Sequence, residues 1–449
     1  MLYQLHEMQR TLLSPLMQWA DATAKILTNP VSPLAHTPFS QRIAAGYELM
    51  YRLGKDYEKP AFEIDSTVIN GETIGIIEQV VVNKAFCRLI HFKKDLDDKA
   101  TKALKQPTVL LVAPLSGHHS TLLRDTVRGL LVDHDVYITD WTDARMVPVS
   151  EGAFHLDDYI YYVQDFIRLL GPDLHVISVC QPTVPVLAAI ALMATDKDPK
   201  LPKTMTMMGG PIDPRRSPTA VNNLATEKKF SWFENTVIYS VPPNYPGFGR
   251  KVYPGFLQHA GFIAMNPGRH AQSHREFYSH LVEGDDEPAE SHRKFYDEYN
   301  AVLDMPAEYY LDTIKTVFQD FALPMGTWKV GGKLVRPQDI TTVALLPSRA
   351  SWTTSPAPAR RKRRTTCAPA SPPKCSRTMS PRAPATTASS PAAAGAKWSA
   401  RRSPSSSKNT VKRASPDKIP ARRRDFFCRG SAGDKVFRPA RRRYRIMTL

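Results

Sequence analysis

Cys180 ends a short β-branched run, His175-Val176-Ile177-Ser178-Val179. Gln181-Pro182-Thr183-Val184-Pro185 then leads at once into the apolar stretch Val186 to Ala194. A strand that ends on a nucleophile type, with a helix starting directly after it, is the pattern of a nucleophile elbow. In such an elbow a sharp turn thrusts the side chain toward substrate, and the common spelling is G-x-S-x-G. Here the frame reads S-x-C-x-P, from Ser178 to Pro182. Ser178 is small enough to let strand and helix cross, and a proline fits the first helical turn, where a missing N–H costs nothing. The proline also disfavours helical backbone at Gln181. A cysteine at a helix N-terminus feels the positive end of the dipole, which predicts a pKa below the ordinary ~8.5 and a thiolate fit for acyl transfer. The alternative for a lone cysteine is a buried, inert thiol.

Charge distribution narrows the function classes. The chain of 449 residues has a formal net charge of +17, which by itself suggests nucleic acid as a partner. From Pro347 to Leu449, however, there are 26 Lys and Arg and only three acids, Asp417, Asp425 and Asp434, so residues 1–346 are left with 34 basic and 40 acidic residues. The body is mildly acidic, and no nucleic-acid partner is expected for it. Cys87, Cys180, Cys367, Cys375 and Cys428 are too scattered for a disulfide framework or a metal site. No metal or cofactor is expected. Met1 to Glu7 lacks the basic-then-apolar pattern of a signal peptide, and no apolar run approaches the ~20 residues of a membrane span. A reducing cytoplasm is the expected address.

The elements that must position Cys180 read as an alternation of strands and helices. Residues 1–60 form an N-terminal helical segment. Leu2, Leu5, Met8, Leu12, Leu13 and Leu16 make a stripe as far as about Pro15, expected to pack on the body or, if exposed, to lie on an apolar surface. A second helix starts at Thr37-Pro38 and carries Ile43, Tyr47, Leu49, Met50 and Leu53. Residues 61–94 are β-rich, at Phe62-Glu63-Ile64 and Thr73 to Val82, with the hairpin signal Asn70-Gly71 between them. Pro107 to Pro114 is a continuous apolar run of the kind buried in a parallel sheet, and it opens into Leu115-Ser116-Gly117-His118-His119 and a helix through Val132. Strand Asp135–Trp141, helix Asp157–Leu170, the Cys180 strand and strand Thr204–Gly210 follow. This rhythm predicts a doubly wound α/β sheet, and the antiparallel entry plus the elbow narrow it to an α/β-hydrolase core over residues 61–210. Residues 211–335, rich in aromatics, interrupt the rhythm as a lid or cap insertion. The last core strand is expected at Ile340–Leu346, within residues 336–346.

Together Thr108 to Asp125, Asp135 to Trp141, Ser178 to Pro185, Met208-Gly209-Gly210-Pro211-Ile212-Asp213 and the N-terminal helices resemble the intracellular polyhydroxyalkanoate (polyhydroxybutyrate) depolymerases, almost continuously from Met1 to Leu346. The resemblance implies an α/β-hydrolase with a Cys-His-Asp triad that cleaves stored poly(3-hydroxybutyrate) at the surface of cytoplasmic granules. It makes Cys180 the nucleophile. The backbone N–H of Gln181, with one from Leu115, Ser116 or Gly117, becomes the oxyanion hole. His118 and His119 stand on the wrong side of the nucleophile for a general base and read as substrate contact or structure. A polyhydroxyalkanoate synthase of the same fold is the close alternative, although that family's box keeps glycines where this chain has Pro182. A non-catalytic granule-binding protein is a second alternative.

The family pattern implies an acid after the Ile340–Leu346 strand and a Gly-His-Tyr-Gly segment after one more strand. Neither is present. By composition residues 347–449 are a basic, disordered tail. Codon arithmetic accounts for particular residues in it. Asp-Asp-Ile-Ser encoded as GAC GAC ATC TCC and read one nucleotide late gives Thr-Thr-Ser-Pro, the sequence of Thr353 to Pro356. Gly-His-Tyr-Gly encoded as GGC CAC TAC GGC becomes Ala-Thr-Thr-Ala, the sequence of Ala385 to Ala388. We read the tail as a frame-shifted product that has lost the base and acid of the triad.

Overall fold

Val109 to Val112 are at most 2% exposed, which only a strand covered on both faces achieves. The computed structural model describes residues 2–29, 31, 37–216, 218 and 220–348. It places that run at the centre of one eight-stranded sheet. The strands are β1 (Ser66–Ile69), β2 (Glu72–Asn83), β3 (Cys87–Lys94), β4 (Thr108–Val112), β5 (Asp135–Trp141), β6 (Leu174–Val179), β7 (Thr204–Met208) and β8 (Ala344–Ser348). Their order is β1-β2-β3-β5-β4-β6-β7-β8. The first three run antiparallel to their neighbours, and from β5 to β8 every pairing is parallel. From β4 the chain steps outward to β5, then crosses back to β6 on the other side of β4. The strand order therefore reverses at β4 and β6, and the crevice beyond their C-terminal ends is where an open α/β sheet binds its ligand.

Local sequence explains most elements. Asn70 and Gly71 both have positive φ (52° and 91°), as a type I′ hairpin turn requires. Phe62 and Ile64, expected in a strand, are buried in a loop, and the hairpin begins at Ser66. Helices α1 (Leu2–Thr28) and α2 (Pro38–Gly54) precede the sheet, with Thr37 capping α2 through its hydroxyl. Helix α1 runs straight past Pro15 rather than stopping there. Its expected core stripe is also corrected: Leu5, Met8, Leu12 and Leu16 face solvent, while Tyr3, Glu7, Met17, Ala20 and Ala24 are buried. Helices α3 (Asp98–Leu104) and α4 (Arg124–Leu131) follow, then α5 (Leu156–Leu170) and α6 (Thr183–Thr195). Val184 to Met193 of α6 are all buried, so this helix is apolar all round rather than amphipathic. It is covered by α5, the sheet and residues of the insertion such as Leu303 and Tyr309. Phe62, Ile64 and α4 residues cover the opposite face.

The chain leaves the sheet at β7 and returns at β8, paired to β7 from Ala344↔Thr204 to Ser348↔Met208. Between them lie α7 (Ala220–Glu227), α8 (Phe230–Thr236), α9 (Gly255–Met265), α10 (Pro267–Glu283), α11 (Asp286–Asn300) and α12 (Ala307–Thr313). Strand β8 starts later than the expected Ile340. Thr195 Oγ1 donates to Asp339 (2.8 Å) and Ala344 N donates to Lys203 O (3.0 Å), so residues 340–343 are used to reach the sheet edge. The strand carries on through Pro347 and Ser348. The tail reading from residue 349 onward, including Thr353 to Pro356 and Ala385 to Ala388, falls outside the described residues.

One buried carboxylate ties the sheet to the loop after β4. Asp140, 1% exposed, accepts from Lys59 Nζ (2.5 and 2.6 Å), Arg88 Nη2 (2.5 Å) and Ser120 Oγ (2.5 Å). Burial alone would raise its pKa, but the charge and hydrogen bond of Lys59, with Ser120 and Arg88, hold it below the usual carboxylate range. Asp140→Ala strands both cations and the serine hydroxyl. Because Lys59 and Arg88 keep some solvent, the expected loss is about 3 kcal/mol, at the low end for a broken buried pair, measured by urea unfolding. A change below about 0.5 kcal/mol would contradict this account.

Candidate active site

Strand β6 ends at Val179, and Cys180 turns the chain with φ 68°, a left-handed conformation that costs a non-glycine residue about 1–2 kcal/mol. Two features hold it there. Cys180 N donates to Met208 O at the end of β7 (2.7 Å), and Thr183 N donates back to Cys180 O (3.2 Å). The first helical bond is Val186 N to Pro182 O (2.9 Å). Gln181 therefore stays outside the helix, which removes the conflict with the proline after it. Room for the crossing comes from an unexpected residue: a Cβ on Gly210 would fall inside the Thr183 side chain and 2.5 Å from Cys180 O. The small residue that the elbow lacks after its cysteine is supplied by the loop that follows β7.

The loop after β4 leaves the sheet beside the elbow, because Val112 pairs with Ser178. Leu115 and Gly117 are buried, and Gly117 needs its glycine, with φ 112° and Gln258, Phe262 and Val302 packed around it. Gly117 O accepts from Leu303 N (2.7 Å), and His118 bridges to Val302. The insertion thus clamps the loop. His118 Nε2 lies 3.0 Å from Tyr299 O and its ring stacks on Phe262, so that nitrogen donates and Nδ1 is left without a partner. Burial drives His118 down to about 3, and burial with Lys59 drives His119 down to about 4. Both are neutral structural rings at neutral pH.

The Cys180 thiol differs from the expectation. Burial raises its pKa, and the Gln181 backbone N–H that points to it only partly offsets this. The dipole of α6 does not prevail, because no cation or histidine lies beside the half-buried thiol among the described residues. The same Gln181 N–H is the one assigned to the oxyanion hole. Three buried polar atoms near the elbow, Gln181 Oε1, Thr183 Oγ1 and Tyr309 OH, lack a well-formed hydrogen bond, although Tyr309 OH faces the side chains of Gln181 and Thr313. Such groups are costly unless a ligand satisfies them. Tyr309 lies 129 residues beyond Cys180 in sequence and had no local signal to mark it. Among the described residues no cluster of three or more His, Cys, Asp or Glu is disposed to hold a metal ion, and no helix is long and apolar enough to cross a membrane.

Two measurements follow from these environments. Iodoacetamide alkylation of Cys180 is expected to keep rising with pH through 9; a plateau at neutral pH would show an activating group. Stability is expected to fall as pH drops from 6.5 toward 4. Unfolded histidines protonate near 6.5, whereas folded His118 and His119 do so only near 3 and 4, so unfolding takes up protons in this window. His292, lowered to about 3 by burial and by His274, adds to the effect. The buried, mutually repelling pair Asp143 and Asp304, raised by burial, opposes it, while further buried histidines such as His259 and His274, lowered by burial, add to it. Urea midpoints between pH 4.5 and 6.5 test the sign, and His119→Gln is expected to remove about one proton from the slope.

Comparisons with known proteins find likenesses over part of the chain. Among curated proteins there is no match. The thioesterase domain from the curacin biosynthetic pathway is similar at 10% identity, over 61% of this chain and 92% of that one, with TM-score 0.30. A membrane phospholipase A, a bacterial virulence factor, is similar at 12% identity over 62% and 76%, with TM-score 0.24. An α/β-hydrolase enzyme, MGS-M1, from a Medee basin deep-sea metagenome library is similar at 11% identity, over 30% of this chain and 57% of that one, with TM-score 0.19. The fold assignment rests on this chain's own strand order and elbow, which are those of an α/β-hydrolase. Residues 209–350 match the family model described as PHB de-polymerase C-terminus, and it is over that segment that the chain is similar to the polyhydroxybutyrate depolymerases.

Proposed function

We propose that the site is built for thiol-dependent hydrolysis of the ester bonds of poly(3-hydroxybutyrate), at polymer granules in the cytoplasm. The observation that carries this reading is Cys180 in left-handed backbone at the sheet's switch point, in a chain whose residues 209–350 match the depolymerase model. In the reaction the Cys180 Sγ attacks the ester carbonyl carbon as its proton passes to a general base. The carbonyl oxygen takes the negative charge, facing the N–H of Gln181 and one from Leu115, Ser116 or Gly117. Collapse expels the hydroxyl end of the polymer, which takes up the proton, and leaves an acyl-thioester. Water then attacks the thioester, releases the carboxylate and restores the thiol.

The raised pKa of Cys180 makes the base indispensable, since the thiol does not ionise unaided at neutral pH. A triad histidine and acid would follow β8, where the sequence from residue 349 has neither a Gly-His-Tyr-Gly segment nor an acid before Asp417. We therefore take this chain to hold the nucleophile and oxyanion groups of the family without the proton acceptor. Acyl transfer to a growing polymer, as in the synthases, shares the first half of this chemistry, and it would show as chain extension from a hydroxyacyl thioester. A non-catalytic granule binder would need no Cys180.

The test is 3-hydroxybutyrate release from amorphous poly(3-hydroxybutyrate) particles. A frame-corrected chain is expected to hydrolyse them, and Cys180→Ala in it to lose at least a thousandfold in rate, as loss of a nucleophile does elsewhere. Cys87→Ala, in the core, is expected to retain activity. The chain with its present C-terminus is expected to release little. Full activity in the Cys180 variant would end the nucleophile assignment, and equal release from the two C-termini would reveal another base.

A further inference from the structure

Helix α1 carries an apolar face left largely open among the described residues, touched at its far end by Tyr47 of α2, which meets the Trp19 ring edge-on at 5.1 Å. Leu5, Met8, Leu12, Leu16 and Trp19 are 54, 57, 73, 46 and 53% exposed. At about 100° per residue they fall within one arc of roughly 80°, along about 21 Å of helix. The charged side chains of the helix, Glu7, Arg10, Asp21 and Lys25, all lie on the opposite side. That side is the anchored one. Tyr3 and Met17 are buried, Glu7 accepts from Tyr245 OH (2.9 Å), and the His6 ring stacks on Phe256 at 4.1 Å. The exposed arc is therefore held outward by its own anchoring.

The chemistry of the arc selects its partner. A helix that lies on an anionic bilayer flanks its apolar face with Lys and Arg, and this one has none there. An uncharged face of this size suits an uncharged, apolar surface. The anchoring also joins it to the candidate site. Tyr3 OH donates to the buried Asp304 (2.6 Å), whose other oxygen accepts from Gly255 N (2.8 Å), and the preceding Leu303 N holds Gly117 O of the oxyanion loop (2.7 Å). We propose that the Leu5–Trp19 face of α1 is the surface by which the protein docks on an amorphous polyester particle, setting the oxyanion loop against the polymer. The proposal rests on the polyester reading given above.

Binding rather than hydrolysis tests it, so that its failure is separate from a failure of the nucleophile assignment. The full chain is co-sedimented with amorphous poly(3-hydroxybutyrate) particles and, separately, with phosphatidylglycerol vesicles. It is compared with a Leu5→Gln, Leu12→Gln, Leu16→Gln, Trp19→Gln variant whose fold is checked by circular dichroism. The variant is expected to bind the particles at least tenfold more weakly, with both chains sedimenting at the same rate when free. Cys180→Ala is expected to bind as the parent does. Undiminished particle binding by the quadruple variant, or no binding by the parent, would overturn the proposal. Vesicle binding that the four substitutions abolish would assign the face to a membrane instead. A parent dimer that the variant splits would assign it to a second copy of the chain.

Discussion

The left-handed turn at Cys180 is the constraint on which the rest of the site depends. A non-glycine residue keeps φ near 68° only where its surroundings over-determine it. Here they do so with a bond to Met208 O, a serine before the turn and a glycine from the loop after β7 that yields the space a side chain would need. The strain is offset by an unusually apolar helix, since Val184 to Met193 bury every side chain. Each fully buried Val, Leu or Ile contributes about 1.5–3 kcal/mol, far more than one strained residue costs.

The same economy of position shapes the loop after β4. It is not rigid by its own sequence, because Gly117 is the most permissive residue available at φ 112°. It is held by the Val302–Asp304 segment on one side and by the Asp140 network, through Ser120, on the other. Two buried acids thus do related work: Asp140 fixes the base of the loop, and Asp304 fixes the segment that clamps it and the first turn of α1. His118 and His119, which the sequence placed near the chemistry, serve as neutral packing within this frame rather than as acid or base.

The electrostatics of the nucleophile show which effect prevails. A helix N-terminus favours a thiolate by well under 2 kcal/mol when partly solvated, whereas burial penalises the charged form without regard to the dipole. With no cation or imidazole beside Cys180 among the described residues, burial sets the direction and the thiol's pKa is raised. The elbow geometry can exist without its proton acceptor, because strand, turn and helix are held by backbone bonds and packing alone.

From the residues in order, the strand–turn–helix at Cys180, the I′ turn at Asn70-Gly71, the buried run before Leu115 and the start of α2 at Thr37-Pro38 could all be read, because each depends on neighbours within a few positions. The placement of Phe62 and Ile64 in a loop, the late start of β8 and the passage of α1 through Pro15 could not, since each is settled by contacts with distant segments. Tyr309, Gly210 and Asp304 stayed hidden for the same reason: they reach the site from far along the chain, and only the folded sheet and its insertion bring them there. The sequence by itself determined the α/β class and the strand–turn–helix around Cys180, because residue type and local spacing carry that information. Tertiary structure alone decided that burial raises the thiol's pKa, that it lowers those of His118 and His119, and that the apolar stripe of α1 faces outward. Burial and orientation belong to the assembled molecule and are not written in any short stretch of chain.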